Sequence, residues 1–264
     1  ARNMYCGACA HDLHLARALR GRGHDAVLVP VYTPLKSPSD EPVEATRVFY
    51  GCINVATQPV ASMLRRVMPF VHGLLDHERL LRFVSGVGAA TDPGELGPLT
   101  VSVLQGEAGL QREHLDVLMR FLRMELRPDV VLITNALLSA LAPPVKRRLG
   151  VPVLCGLQGE DAFVRAFPQP YERHARALMT RNAESVDLFV TPAEFYVGRM
   201  ARFISLPRER IRVCRTAVDL QAFQRSEPRR RSPFVIGYLS RLAESKGVDT
   251  LVEAFILLAR DGKR

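Results

Sequence analysis

The chain has 264 residues, 47% of them hydrophobic, with a mean hydropathy of +0.02. This length can form one large or two ordinary domains, and no uninterrupted apolar run reaches the roughly eighteen residues typical of a membrane-spanning helix. With 36 basic and 27 acidic residues the net charge is +9, which predicts attraction to anions, whereas the absence of any nucleic-acid motif argues against nucleic-acid binding.

Two patterns of apolar residues alternate along the chain. Continuous apolar runs predict strands buried on both faces of a parallel sheet, and apolar residues three and four apart predict helices. The predicted strands are 26–31, 48–55, 130–133, 151–155, 188–190, 211–214 and 234–239. The predicted helices are 8–20, 59–86, 115–126, 137–149, 171–186, 191–206 and 248–258. This order predicts an α/β fold, a Rossmann-like parallel sheet with helices on both faces, whose ligands bind beyond the carboxyl ends of the strands.

Three local signals refine this pattern. Residues 91–94 are rich in turn formers and predict a loop. Residues 104–107 are a candidate for another loop at a strand end, with Glu107 near the acceptor, although a capping role is favoured. Thr191, Pro192 and Glu194 occupy the N-cap, first and third positions of a predicted helix, where each helps to start it.

Five cysteines, an odd number, in a chain of this length do not predict a disulfide framework. Cys6 and Cys9 have the spacing of a redox pair, so a dithiol redox protein is one alternative for the function. A zinc site would need a second Cys or His pair at a suitable distance, and the sequence offers none, so no metal is expected. Cys9 lies in helical register with Leu13 and Ala16, which favours a structural role.

Two cations lie between the predicted strand 234–239 and the helix that follows it. Arg241 carries a planar fork of donors and Lys246 a flexible ammonium, and free backbone N–H groups lie at the helix start. This combination suits a diphosphate, which favours a nucleotide-type ligand. The alternative is that both are ordinary surface cations.

The segment from 234 to 256 resembles the start of the donor-binding domain of family 4 glycosyltransferases, which are retaining enzymes with two Rossmann-like domains (GT-B). The resemblance implies that Arg241 and Lys246 contact the diphosphate of a nucleotide sugar. Gly7 before the first helix, and the turn Gly23-His24, match the order of the family's N-terminal acceptor domain. The resemblance implies that the Gly7 loop faces the donor phosphates, although the family's usual pair of glycines is reduced to one here.

A second polar loop, Gln158-Gly159-Glu160-Asp161, directly follows the predicted strand 151–155. Its side chains can hydrogen-bond sugar hydroxyls or an acceptor alcohol, or Asp161 can cap the next helix. The family often carries His-Gly-x-Asp here, and Gln158 stands at the His position, where glutamine cannot act as a general base. We therefore predict that Gln158, Glu160 and Asp161 bind sugar or acceptor, and we assign no catalytic residue.

The resemblance implies an acceptor-binding domain over residues 1–226, its first strand expected before Ala1, followed over 227–264 by a linker and the first strand-helix unit of the donor domain. We therefore expect a fragment that is inactive alone. The full-length protein is expected to transfer sugar from a nucleotide-diphosphate sugar, as co-substrate and without another cofactor, to the hydroxyl of a sugar, lipid-linked or small-molecule acceptor. A non-catalytic nucleotide or sugar-phosphate binding module is the other alternative. The expected location is the cytoplasm, and the arginines of 225–231 suggest either a solvated linker or peripheral contact with the inner membrane face.

Overall fold

The computed structural model describes residues 7–31, 93–217, 235–240 and 246–260. The chain divides into two compact units, residues 1–218 and 219–264. The helices are α1 (Gly7–Arg20), α2 (Pro93–Leu104), α3 (Arg112–Phe121), α4 (Ala142–Leu149), α5 (Glu160–Arg165), α6 (Tyr171–Ala183), α7 (Glu194–Phe203) and α8 (Val248–Arg260). The strands are β1 (Val131–Ile133), β2 (Val153–Gly156), β3 (Leu188–Thr191) and β4 (Ile211–Val213).

The first unit is built on a parallel sheet with strand order β1-β2-β3-β4. Neighbouring strands are consecutive in the chain, and each is linked to the next through helical segments. Ile133, Val153, Cys155 and Phe189 are all buried in the core. The predicted α/β class and parallel sheet are therefore confirmed, and the carboxyl ends of the strands lie at one edge, where such sheets bind ligands.

Helix α2 packs closely on α6, and this contact corrects two predictions. A Cβ atom on Gly97 would lie 2.9 Å from side-chain atoms of Tyr171, so the absence of a side chain allows the close approach. Asn182 Nδ2 donates to the Leu104 carbonyl at 2.9 Å, which satisfies one of the free carbonyls at the end of α2. The loop predicted at 91–94 is therefore wrong from Pro93 onward. Leu104 ends a helix and does not follow a strand.

Shorter helical segments occupy several connections. Residues Gly106–Ala108, Ala136–Leu141 and Arg208–Arg210 form 3-10 turns, and the π-helical Leu122–Leu126 continues α3. Helix α4 ends at Gly150, whose φ of 74° is the left-handed conformation that glycine adopts readily. The predicted helix end at Gly150 is therefore confirmed.

Helix α7 begins two residues later than the sequence predicts. Its N-cap is Ala193, without a side-chain capping bond, and Thr191 is the last residue of β3. The Thr191 carbonyl accepts a hydrogen bond from the Cys214 N–H at 2.9 Å, which keeps Thr191 extended beside the β4 end. The predicted N-cap at Thr191 is therefore wrong, although the helix itself is present.

Two predicted strands are not formed in the described parts of the chain. Residues 26–30 and 235–239 have no regular secondary structure, and neither segment pairs with any described strand. Side chains of Val235, Ile236 and Leu239 are exposed, unlike those of a strand buried in a sheet. The strand predicted at 234–239 is therefore not observed over 235–239, whereas the helix after it is confirmed as α8. The assignment of this segment to a second Rossmann-like domain stays a prediction.

Some predictions fall outside the described residues. They are the loop and strand at 32–55, the helix at 59–86, Cys6, the arginines of 225–231 and Arg241. Within the described ranges, no helix is long and apolar enough to cross a membrane.

Candidate functional site

The candidate site begins where β1 and β2 end side by side. Thr134 is the first residue after β1, and Gly156 is the last residue of β2. A Cβ atom on Gly156 would lie 2.4 Å from the Thr134 carbonyl oxygen, which is closer than real Cβ contacts allow. Glycine at 156 therefore permits the two strand ends to approach.

Gln158 is held by a chain of hydrogen bonds across this edge. Its Nε2 donates to the Thr134 carbonyl at 2.9 Å, and the Thr134 hydroxyl donates to Oδ2 of Asp12 at 2.7 Å. Helix α1 is thereby joined to the ends of β1 and β2. Gln158 is an exposed residue, and because its amide nitrogen faces a carbonyl, its Oε1 remains as an acceptor with no described protein donor.

Glu160 fixes the backbone of the loop that carries Gln158. Its side chain is only 3% exposed, and its two oxygens accept hydrogen bonds from the N–H groups of Ala136 (3.1 Å) and Gln158 (2.8 Å). Burial raises the pKa of Glu160, and the backbone hydrogen bonds counteract part of that rise. Glu160 thus connects the loop after β2 to the segment after β1.

Asp161 connects the same loop to α7. It is buried, and it accepts hydrogen bonds from the Tyr196 hydroxyl at 2.7 Å and from Arg199 Nε. Burial alone would raise the pKa of Asp161, but these bonds and the charge of Arg199 together lower it. Burial and the bond to Asp161 raise the pKa of Tyr196. The N-cap of α5 is Gly159, without a side-chain capping bond, so Asp161 is not that cap.

The predicted site residues fall into three groups. Gln158, Glu160 and Asp161 lie in one loop, and Gly7 begins the helix that carries Asp12. Lys246 lies in the second unit, exposed, two residues before α8. Arg241 lies outside the described residues, and the ligand-binding roles of the whole set stay predictions.

Four partners of this loop were not predicted from the sequence. Thr134 could have been found from its place immediately after a predicted strand. Tyr196 and Arg199 are three residues apart on α7 and therefore share one helix face. The contact of Asp12 with Thr134 could not be predicted, because nothing in the sequence around Asp12 indicates that it lies near the end of β1.

The described residues offer no cluster for a metal ion, and the thiol inside β2 is not activated. No group of three or more His, Cys, Asp or Glu side chains there could hold a metal ion. Cys155 is buried within β2, and burial raises the pKa of its thiol well above the usual value, so it is not an activated nucleophile.

Comparisons with known proteins identify the family. The searches of curated proteins and of solved structures found no match. The family model described as a glycosyl transferase 4-like domain matches residues 7–216. This range contains the whole sheet and every residue of the candidate loop and its partners. The chain therefore belongs to the family of glycosyl transferase 4-like domains.

Proposed function

We propose that the protein transfers a sugar from a nucleotide-diphosphate sugar to an acceptor hydroxyl with retention of configuration, and that its first unit binds the acceptor in a GT-B arrangement. Family membership supports the glycosyltransferase class. The observation that carries the acceptor site is the exposed Gln158, held at the carboxyl edge of the sheet by Thr134 and by the loop that Glu160 fixes.

Gln158 is proposed to position the acceptor or the transferred sugar. Its free Oε1 can accept a hydrogen bond from a hydroxyl, and its amide nitrogen is already engaged. A glutamine cannot remove the proton, so its contribution is orientation. Glu160 and Asp161 are proposed to act on the ligand through the loop, because donors within the protein already engage their oxygens.

Arg241, Lys246 and Gly7 are proposed to bind the donor diphosphate. Positive charge there would stabilise the negative charge that develops on the departing diphosphate. Lys246 is exposed, and no described carboxylate forms an ion pair with it, so its ammonium is available to an anion. The family match gives no support to a non-catalytic module or to a Cys6–Cys9 redox pair.

The donor half of the proposal is tested by binding. A panel of UDP-, GDP- and ADP-sugars is screened against the full-length protein by thermal shift, and the best ligand is titrated calorimetrically. Lys246→Ala should weaken binding about tenfold, because it removes one charge-assisted contact. Arg260→Ala, which removes an exposed charge at the far end of α8, should leave the affinity unchanged. No binding by any nucleotide sugar, or equal effects of both variants, would contradict the proposal.

The acceptor half is tested by transfer kinetics in the whole protein. Gln158→Ala should raise the KM for the acceptor about tenfold with little change in the KM for the donor, since a hydrogen bond to the acceptor is lost. The anomeric configuration of the product, read by NMR, tests retention. An acceptor KM that does not respond to Gln158→Ala would exclude that residue from the acceptor site.

A further inference from the structure

A basic cleft lies beside the candidate loop, between α5, α6 and α7 of the first unit. Its volume is about 510 Å³, and its lining residues are Arg165, Arg176, Phe195, Arg199, Arg202 and Phe203. Pockets for small molecules commonly enclose about 300–1,000 Å³, so the basic cleft is large enough for an organic ligand.

The basic cleft carries a surplus of positive charge. Four of its six lining side chains are guanidinium groups, and only Arg199 has a carboxylate partner, Asp161. Among the described residues, no carboxylate forms an ion pair with Arg165, Arg176 or Arg202. Like charges gathered around one cavity repel each other, so an anion bound there would relieve the repulsion.

Two of the guanidinium groups are held in place by the protein. Arg176 Nε donates to the Phe203 carbonyl at 2.7 Å, and one of its Nη groups approaches the Arg202 carbonyl at 3.4 Å. Arg199 is held through Nε by Asp161, and neither of its Nη groups has a described protein acceptor. Each arginine therefore keeps unused N–H donors on a group whose orientation is already fixed.

Two phenylalanines give the basic cleft an apolar part of its wall. The ring of the buried Phe203 lies under the guanidinium carbons of Arg165 and Arg176, at 5.2 and 5.4 Å from its centroid. Phe195 is 78% exposed at the same cleft. Exposed aromatic surface beside fixed cations favours an anion that carries an organic group over a small hydrated ion.

We propose that the basic cleft binds a phosphate ester. Guanidinium forks match the oxygens of a phosphate in a bidentate geometry, and the two phenylalanines can contact the esterified group. This site adjoins the candidate loop at Arg199, and binding of a phosphate ester there does not depend on whether the protein transfers sugar. A soluble phosphate ester and a phospholipid headgroup present the same chemistry to these arginines.

A single tryptophan gives a local measurement of binding. The chain has no tryptophan, so Phe195→Trp introduces one fluorophore at the basic cleft. This variant is titrated with glycerol 3-phosphate and with uncharged glycerol. It is also titrated with phosphatidylcholine vesicles that contain or lack phosphatidic acid. We expect a saturable fluorescence change with the soluble phosphate ester or with the phosphatidic acid vesicles, and none with glycerol or pure phosphatidylcholine.

Variants that each change one arginine of the Phe195→Trp protein show where the ligand binds. Arg165→Ala and Arg202→Ala remove groups that make no described hydrogen bond to the protein, and each should weaken binding about tenfold. Arg202→Lys keeps the charge but loses the fork, so its loss should be smaller but measurable. Arg173→Ala removes an exposed charge of α6 outside the lining and should change the affinity less than twofold. Thermal unfolding by circular dichroism checks that each variant is folded.

Each outcome decides the proposal. Binding of the soluble ester identifies a small-molecule site, and binding of phosphatidic acid vesicles alone identifies a lipid headgroup as the source; both support a phosphate-ester site. Absence of binding to both probes would overturn it. An equal loss with Arg173→Ala, or a loss with Lys246→Ala in place of Arg202→Ala, would also overturn it, because the anion would then be bound elsewhere.

Discussion

Glu160→Ala is expected to lower the free energy of unfolding by about 3 kcal/mol. Its carboxylate accepts hydrogen bonds from two backbone N–H groups, those of Ala136 and Gln158. Hydrogen bonds to a charged group contribute about 1.5–3 kcal/mol each, so two of them contribute at most about 3–6 kcal/mol. The carboxylate is only 3% exposed, and removing the cost of its burial offsets part of this loss.

Glu160→Gln separates the shape of the side chain from its charge. The amide keeps one oxygen, which can accept from one of the two N–H groups, but its NH2 group faces the other donor. We expect a destabilisation about half that of Glu160→Ala. Glu209→Ala, at an exposed position without a described partner, should change stability by less than about 0.5 kcal/mol.

The assay is urea unfolding followed by far-UV circular dichroism, with the three variants measured beside the wild type. A Glu160→Ala variant as stable as Glu209→Ala would refute the reasoning, because the two backbone bonds would then contribute nothing to stability. A loss of the same size in Glu160→Gln and Glu160→Ala would show that charge, and not the count of acceptors, decides the effect.

The pH dependence of the same variants tests the raised pKa of Glu160. Burial raises this pKa above its usual value of 4.5, so above that pH the folded protein retains a proton that the unfolded chain has released. The part of the stability that comes from this retained proton is therefore fully present below pH 4.5 and is lost as the pH rises through the raised pKa of Glu160. Wild-type stability should fall relative to Glu160→Gln over this window. An unchanged difference between the two from about pH 4 to 8 would contradict the raised pKa.

Two further predictions concern the sheet. Gly156→Ala should destabilise the protein by about 1–3 kcal/mol, because the added Cβ would lie 2.4 Å from the Thr134 carbonyl oxygen. Gly21→Ala should be tolerated, because the nearest atom to its added Cβ would be 3.5 Å away, and urea unfolding of both variants checks this difference. Asp187→Asn should cost about 1 kcal/mol at pH 7, because the bond from Lys146 holds the Asp187 pKa below its usual 3.8. That stabilisation is present above pH 3.8 and is lost as the pH falls through the lowered pKa, so the two proteins should converge in acid, as thermal melts against pH would show.

The sheet could be predicted because its strands are short apolar runs with clear boundaries. Residues 130–133 follow Pro128, and residues 151–155 follow Gly150, so both strands were located within two residues. A continuous apolar run is visible without a structure, but the burial on both faces that it predicts is incomplete in β1, where Leu132 is 45% exposed.

The helix that ends at Leu104 could not be predicted in the same way. Residues 100–103 contain two valines and a threonine, a composition that favours a strand when it is considered alone. The helix is stabilised by packing on α6, where Asn182 donates a hydrogen bond to the Leu104 carbonyl. These two residues are 78 positions apart in the sequence, so the contact cannot be inferred from the local sequence. The N-cap predicted at Thr191 was wrong for a related reason. Thr191 pairs with β4 as the last residue of β3, and this pairing outweighed a local sequence that matches a helix start.

The position of the candidate loop could be predicted from the sequence, whereas the residues that form hydrogen bonds with it could not. The position of Gln158 after a strand at the carboxyl edge follows from the topology of parallel sheets. The partners of Asp161 lie 35 and 38 residues further along the chain, on α7. A single sequence contains the spacing of Tyr196 and Arg199 on one helix face, but nothing in it indicates which loop that face contacts.

Arg199 is the residue at which the candidate loop and the basic cleft meet. Its Nε binds Asp161, and its side chain also lines the cleft. An anion in the cleft would share the charge of Arg199 and thereby weaken the interaction that lowers the pKa of Asp161. Substituting Arg199 or Asp161 would therefore disturb both places at once. Gln158 belongs to the candidate loop and does not line the cleft, whereas Arg202 lines the cleft and forms no described hydrogen bond to the loop. Their single and double variants can therefore show whether the two sites act independently or are coupled through Arg199.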